Sequence, residues 1–139
     1  MAVHIEVDSK PLDISRLRSI LDTEGCGSIV SFVGLTRDFE GEAQVKGLEF
    51  DAWEDELPKV LRRISEEAIS MFGVHSIVLS HRTGFVEPGQ EIVCIHVGST
   101  HRVEGFTACS WLISELKSQA PLWKKEIRDD GEFWKAGLG

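Results

Sequence analysis

Apolar and polar positions alternate from the third residue onward: Val3, Ile5 and Val7 are separated by His4 and Glu6. That period of two predicts a half-buried strand. Ile14, Leu17, Ile20 and Leu21 then recur at helical spacing, and Gly25 and Gly27 are expected to end that helix. Residues Ser28 to Val33 form a short apolar run closed by Gly34, which predicts a second strand. The polar stretch Thr36-Arg37-Asp38-Phe39-Glu40-Gly41-Glu42 predicts a loop, and Leu48, Phe50 and Ala52 alternate again as a strand. Leu57, Val60, Leu61, Ile64, Ala68 and Met71 fall on one stripe of a long helix that Gly73 should stop. Two strands rich in Ile and Val follow, about Ser76–Arg82 and Glu91–Val97, with Glu87-Pro88-Gly89-Gln90 as the turn between them. A third helix, about Val103–Gln119, is expected to carry Ser99 or Thr100 as its cap and to end before Pro121. Trp123–Arg128 and Phe133–Lys135 read as a closing hairpin across Asp129-Asp130-Gly131. The order β-α-β-β-α-β-β-α-β-β, with many short turns between strands, favours α+β over a doubly wound parallel sheet.

Length and charge narrow this further. The 139 residues suit one domain, 1–139, with 42% hydrophobic and 27% charged residues, an ordinary globular composition. Acidic residues outnumber basic ones 23 to 15, for a net charge of −8. Such a balance speaks against non-specific binding to nucleic acid or to an anionic membrane. Cys26, Cys94 and Cys109 are odd in number and lack C-x-x-C spacing, so a disulfide framework is not expected. The first fifteen residues carry no basic segment followed by an apolar core, and no apolar run approaches a membrane span. A cytoplasmic location is the resulting expectation.

Candidate chemistry gathers at three places. Gly98-Ser99-Thr100-His101-Arg102 leads a strand into a helix N-terminus, where backbone N–H groups and the helix dipole favour an anion. Lys117 stands near the end of that helix beside the apolar stripe Phe106, Cys109, Ile113 and Leu116, and Lys124 lies just past Pro121. If the two lysines converge across that corner they form an anion site or a reactive amine. Lys124 and Lys125 alternate, so they point to opposite faces. Arg37 follows a buried strand and is placed to clamp a phosphate or carboxylate. Each feature also has an ordinary structural reading: a capped helix, a solvated lysine, an Arg37–Asp38 loop. Cys94, His96 and His101 match no zinc spacing, and no metal is expected. His81-Arg82-Thr83-Gly84 reads as a structural corner, and no phosphate-loop, dinucleotide or nucleophile-elbow motif occurs.

The same residues carry a family resemblance. The segments Gly27-Ser-Ile-Val-Ser-Phe-Val-Gly34 with Thr36-Arg37-Asp38, and His81-Arg82-Thr-Gly84 with Pro88-Gly89-Gln-Glu-Ile-Val93, resemble the large, catalytic subunit of molybdopterin synthase. So do Val97-Gly-Ser-Thr-His101-Arg102 and Leu116-Lys117-Ser-Gln-Ala-Pro121-Leu-Trp123-Lys124-Lys-Glu126. Five separated segments follow the family's order over roughly Ile29 to Trp134, whereas Glu49-Phe50-Asp51-Ala52-Trp53 departs from its usual pattern.

The resemblance implies an α/β-hammerhead-like single domain with a mixed, largely antiparallel sheet and three helices. It implies a homodimer, each chain of which takes a small ubiquitin-like sulfur-carrier subunit to make a heterotetramer. The partner's C-terminal Gly-Gly thiocarboxylate would donate sulfur to cyclic pyranopterin monophosphate, and two transfers would make the dithiolene of molybdopterin. By matched position, Lys117 and Lys124 correspond to essential lysines, and Arg37, His101 and Arg102 to residues holding the phosphate and pterin. Phe32 matches a phenylalanine near the pocket, and Glu126 a position suited to orienting Lys124. Sulfur arrives on the partner, so this chain needs neither a reactive cysteine nor a cofactor. Two other classes stay open beside this one: a dimeric module that binds a ubiquitin-like tail without turnover, and a different enzyme acting on a phosphorylated small molecule.

Overall fold

The computed structural model describes residues 2–135; the two ends of the expected 1–139 domain lie outside the described residues. The elements are β1 (Val3–Asp8), α1 (Ile14–Ile20), β2 (Ser28–Leu35), β3 (Phe39–Glu40), β4 (Ala43–Ala52) and α2 (Leu57–Phe72). Then come β5 (Ser76–Arg82), β6 (Gly84–Val86), β7 (Glu91–Ser99), α3 (Arg102–Gln119), β8 (Leu122–Arg128) and β9 (Gly131–Lys135). The strands divide between two sheets. The first has the order β1-β5-β7-β2, with β1 parallel to β5 and the other pairs antiparallel. The second is antiparallel, in the order β3-β4-β8-β9, and β6 also pairs with β4. Among the described residues the architecture is α+β with three helices, as the hydrophobic pattern predicts.

Period-two alternation decides which strand residues meet which helix. Ile77 and Leu79 of β5 and Val93, Ile95 and Val97 of β7 face α2 and α3 in the main core. Val78 and Cys94, on the opposite face, pack under α1 with Leu17 and Leu21. The second sheet joins the main core through Leu48, Phe50, Val86 and Leu122. No helix among the described residues is long and apolar enough to cross a membrane.

Local chemistry sets two helix ends and one close helix–sheet approach. The Asp13 carboxylate caps α1 by accepting from the Arg16 N–H at 3.0 Å. Gly73 closes α2 at φ +70°, a left-handed conformation that costs a residue with Cβ about 1–2 kcal/mol. Gly105 lets α3 approach the first sheet: a Cβ there would lie 2.8 Å from Ser99 Oγ and 3.0 Å from a Val30 methyl.

Several expectations are corrected. Helix α1 stops at Ile20 because Leu21 is extended, before either glycine is reached. The N-cap of α3 is His101, not Ser99 or Thr100. Ser99 instead donates its hydroxyl to the His101 carbonyl at 2.6 Å, and the Glu104 carboxylate accepts from the His101 N–H. The polar loop after β2 contains strand β3, and β4 begins at Ala43 because Val45 is buried although its neighbours are polar. Phe106 and Met71, expected on buried stripes, are 61% and 59% exposed. The buried face of α3 is built from small residues, Gly105, Ala108 and Cys109, with Leu112 and Leu116, so Phe106 is turned outward. Met71 lies at the flank of the α2 stripe, in the last turn.

Candidate active site

Where the main core reaches the seam between the two sheets, packing gives way to a pocket of about 440 Å³. Its walls are largely apolar, with Phe32, Leu48, Phe50, Ile95 and Leu116 among them. Charged groups enter it from three elements. Alternation along β8 turns Leu122, Lys124 and Glu126 inward and Trp123 and Lys125 outward. Lys125 lies on the outer face, 5.6 Å from the Trp134 ring centroid and 3.5 Å from the Glu132 carboxylate. Lys117 comes from the last turn of α3, next to buried Leu116. Arg37 follows β2 on a loop tied down through Thr36, whose N–H donates to the Gln90 carbonyl at 3.0 Å and whose carbonyl accepts from Gly89 N–H at 2.9 Å.

Five of the seven candidate residues therefore line one pocket: Phe32, Arg37, Lys117, Lys124 and Glu126. Lys124 is only 8% exposed. Burial lowers its pKa below the usual lysine value; Glu126 opposes this, and Arg37, Lys135 and Lys117 add to the lowering. Glu126 is itself buried, with Oε1 3.5 Å from Arg128 Nη1 and 3.7 Å from Lys135 Nζ. A carboxylate so placed keeps one oxygen set among cations and holds the inward face of β8 in register with β9, where Lys124 stands opposite Lys135.

His101 and Arg102 are not in that pocket. They sit exposed at the N-terminal end of α3, whereas Lys117 is in its last turn. At 1.5 Å per residue the separation is roughly 22 Å along the helix. His101 Nδ1 lies 3.9 Å from the Glu104 carboxylate. Cys94 and His96 belong to the α1 face of the first sheet, where His96 Nδ1 is 2.6 Å from Ser31 Oγ and Nε2 is 3.3 Å from Cys94 Sγ. Burial pushes the Cys94 and Cys109 thiols up to about 11, away from the reactive thiolate.

Two groups, one in the pocket and one beside it, are not singled out by the sequence pattern. His81, expected in a structural corner, lines the cavity. The signal was available in the alternation Ile77, Leu79, His81, which puts the histidine on the core face. Lys135 joins the Glu126 cluster from β9, whose adjacent Phe133 and Trp134 give no alternation to reveal which face its residues take.

Three cations and a carboxylate between apolar walls make a site for anions in which low polarity magnifies each charge. A lysine with a lowered pKa there is also suited to moving a proton.

Comparison with known proteins identifies the family. Residues 7–119 match the family model described as MoaE protein. The molybdopterin synthase catalytic subunit of Pyrococcus abyssi is 33% identical over 135 residues, covering 96% of this chain and 91% of that protein. The crystal structure of molybdopterin synthase from Staphylococcus aureus superposes with a TM-score of 0.87 at 29% identity, covering 94% of this chain and 95% of that one. A Helicobacter pylori structure described as the complex of subunits 1 and 2 of molybdopterin-converting factor shares the fold, at 22% identity and a TM-score of 0.74 over 96% and 90% of the two chains. The chain thus belongs to the MoaE family of molybdopterin synthase catalytic subunits, sulfurtransferases of molybdenum cofactor biosynthesis.

Proposed function

We propose that this pocket takes the C-terminal thiocarboxylate of a small ubiquitin-like subunit together with cyclic pyranopterin monophosphate, and transfers sulfur from the first to the second. The observation that carries this reading is the convergence of Arg37, Lys117 and Lys124 with Glu126 in one apolar-walled cavity. Both reactants are anions, and a site for them needs several fixed cations at close quarters. In each transfer a carbon–sulfur bond replaces a carbon–oxygen bond of the substrate, whose oxygen leaves on the opened phosphate or as water, and water then hydrolyses the resulting thioester so that the tail leaves as a carboxylate. Lys117, at the helix end, pairs with the incoming thiocarboxylate. Lys124, deeper and with the lowered pKa, faces the pterin side chain, where it offsets developing negative charge or moves a proton.

His101 and Arg102 enter this reading through a second copy of the chain. Strand β2 is an edge of the first sheet, and it exposes Ile29, Val33 and Leu35 on one face. Val103 and Phe106 of α3 are 69% and 61% exposed. An apolar edge strand of eight residues is normally covered. A homodimer through this side buries those residues and brings one protomer's His101 and Arg102 toward its partner's pocket to hold the phosphate. Light scattering at micromolar concentration is expected to give twice the chain mass; one chain mass removes the dimer. Arg102→Ala is expected to weaken binding of the pyranopterin by about 1.5–3 kcal/mol, the cost of one charged hydrogen bond. Unchanged affinity by calorimetry counts against the assignment.

The buried or half-buried thiols take no part in this scheme. A variant with Cys26, Cys94 and Cys109 all replaced by alanine is expected to keep sulfur transfer wherever it stays folded; a folded but inactive variant refutes that. The decisive experiment is incubation of the chain with cyclic pyranopterin monophosphate and a thiocarboxylated small subunit, with molybdopterin read by fluorescence after oxidation. No product from a folded protein overturns the proposed function.

A further inference from the structure

The pocket's charged groups account for anions, but one lining group is neutral and its chemistry is of another kind. His81 is the last inward residue of the row Ile77, Leu79, His81, and it is 2% exposed. Its Nδ1 lies 2.6 Å from the Arg82 carbonyl oxygen. A carbonyl only accepts, so Nδ1 carries the proton and Nε2 is the bare acceptor. Phe50 packs edge-on against the ring with centroids 5.2 Å apart, and this fixes the imidazole from the side of the second sheet. Burial lowers its pKa to about 4, so the ring is neutral at physiological pH. Among the described residues Nε2 has no hydrogen-bond partner.

Among the described residues every other polar side chain lining this pocket is charged. Arg37, Lys117 and Lys124 only donate, and Glu126 accepts but already faces Arg128 and Lys135. A neutral lone pair in a low-polarity wall attracts an N–H or O–H donor and repels an anionic oxygen. We propose that His81 Nε2 accepts a hydrogen bond from a neutral N–H or O–H of the bound heterocycle, and so orients the substrate with its ring toward β5 and its anionic end toward the lysines and Arg37. This deepens the reading given under Proposed function and rests on it. His81 is then a specificity residue: it distinguishes a ring that bears donors from a phosphate or carboxylate of similar size.

The test uses the chain with cyclic pyranopterin monophosphate as the first probe and inorganic phosphate as the second. His81→Phe keeps the ring volume beside Phe50 and removes the acceptor. It is expected to weaken pyranopterin binding about 5- to 100-fold, as loss of the partner of a buried donor does, and to leave competition by phosphate unchanged. His81→Gln, which restores an acceptor oxygen, is expected to recover most of the affinity. In the wild-type protein, the nitrogen-15 resonance of His81 Nε2 is expected to move upfield when the pyranopterin is added and to stay in place with phosphate. That measurement decides the matter even where the substituted chains do not fold. Equal weakening toward both probes, unchanged pyranopterin affinity in His81→Phe, or an unmoved Nε2 resonance overturns the His81 assignment while wild-type binding stands. A folded wild-type protein that does not bind the pyranopterin overturns the functional reading and the His81 assignment with it.

Discussion

Lys117→Ala and Lys124→Ala each lower turnover by at least ~100-fold, as loss of one preorganised charge does at other buried sites, while the protein stays folded. Neither side chain supports the core. Lys117 is exposed at the end of α3, and Lys124 points into the pocket rather than into packed side chains. Lys→Arg does not rescue either one. The guanidinium is larger and holds its proton far above neutral pH, whereas Lys124 sits where burial and three neighbouring cations already loosen its proton. The two lysines separate in a single-turnover assay: Lys117→Ala loses productive docking of the thiocarboxylate tail, and Lys124→Ala loses the step at the pterin. Near-normal sulfur transfer in both variants removes them from the site.

Leu112→Ala lowers stability by about 2–5 kcal/mol, the usual cost of a large-to-small change in a closed core. Leu112 is fully buried on the face of α3 that meets the first sheet and α2. The small residues Gly105 and Ala108 have drawn the helix tight against the sheet, so little can move in to fill the void. Thermal unfolding at fixed protein concentration reads this as a drop of roughly 6–20 °C for a domain of this size. A drop under a few degrees shows that the helix can settle into the gap. Because Leu116 and Lys117 follow one turn later, a settled helix also shifts the pocket, which a parallel activity measurement records.

How much of this was legible in the chain depended on whether a pattern was local. Helix α2 was clear because Leu57, Leu61, Ile64 and Ala68 mark one unbroken stripe and Gly73 marks its end. Strands β5 and β7 were clear because runs of Ile and Val are long enough to exclude a turn. Strand β3 was hidden, since two residues carry no period and its pairing with β4 is a tertiary fact. The inward side of α3 is not legible for a physical reason: a helix that packs closely presents small residues, whereas hydrophobicity alone points to Phe106. Matched motifs placed Arg37, Lys117 and Lys124 among the site candidates, but only the pairing of β8 with β4 puts Lys124 and Glu126 inside. The 18-residue length of α3 is what parts His101 and Arg102 from Lys117. Local turn chemistry at Gly98-Ser99-Thr100 held no information about that distance.

The buried ammonium of Lys124 ties folding to proton release and ligand capture to proton uptake. Its folded-state pKa is below the unfolded lysine value of 10.5, so the unfolded chain binds more protons in the interval between them. The destabilisation this causes is present in full below the folded pKa and is relieved as pH rises through it toward 10.5. An anion seated beside Lys124 pulls the pKa back up. At alkaline pH the site therefore gains a proton as it fills, and the observed heat of binding changes with the ionisation enthalpy of the buffer. Filling the site also returns to the fold the stability that burial of the ammonium withholds.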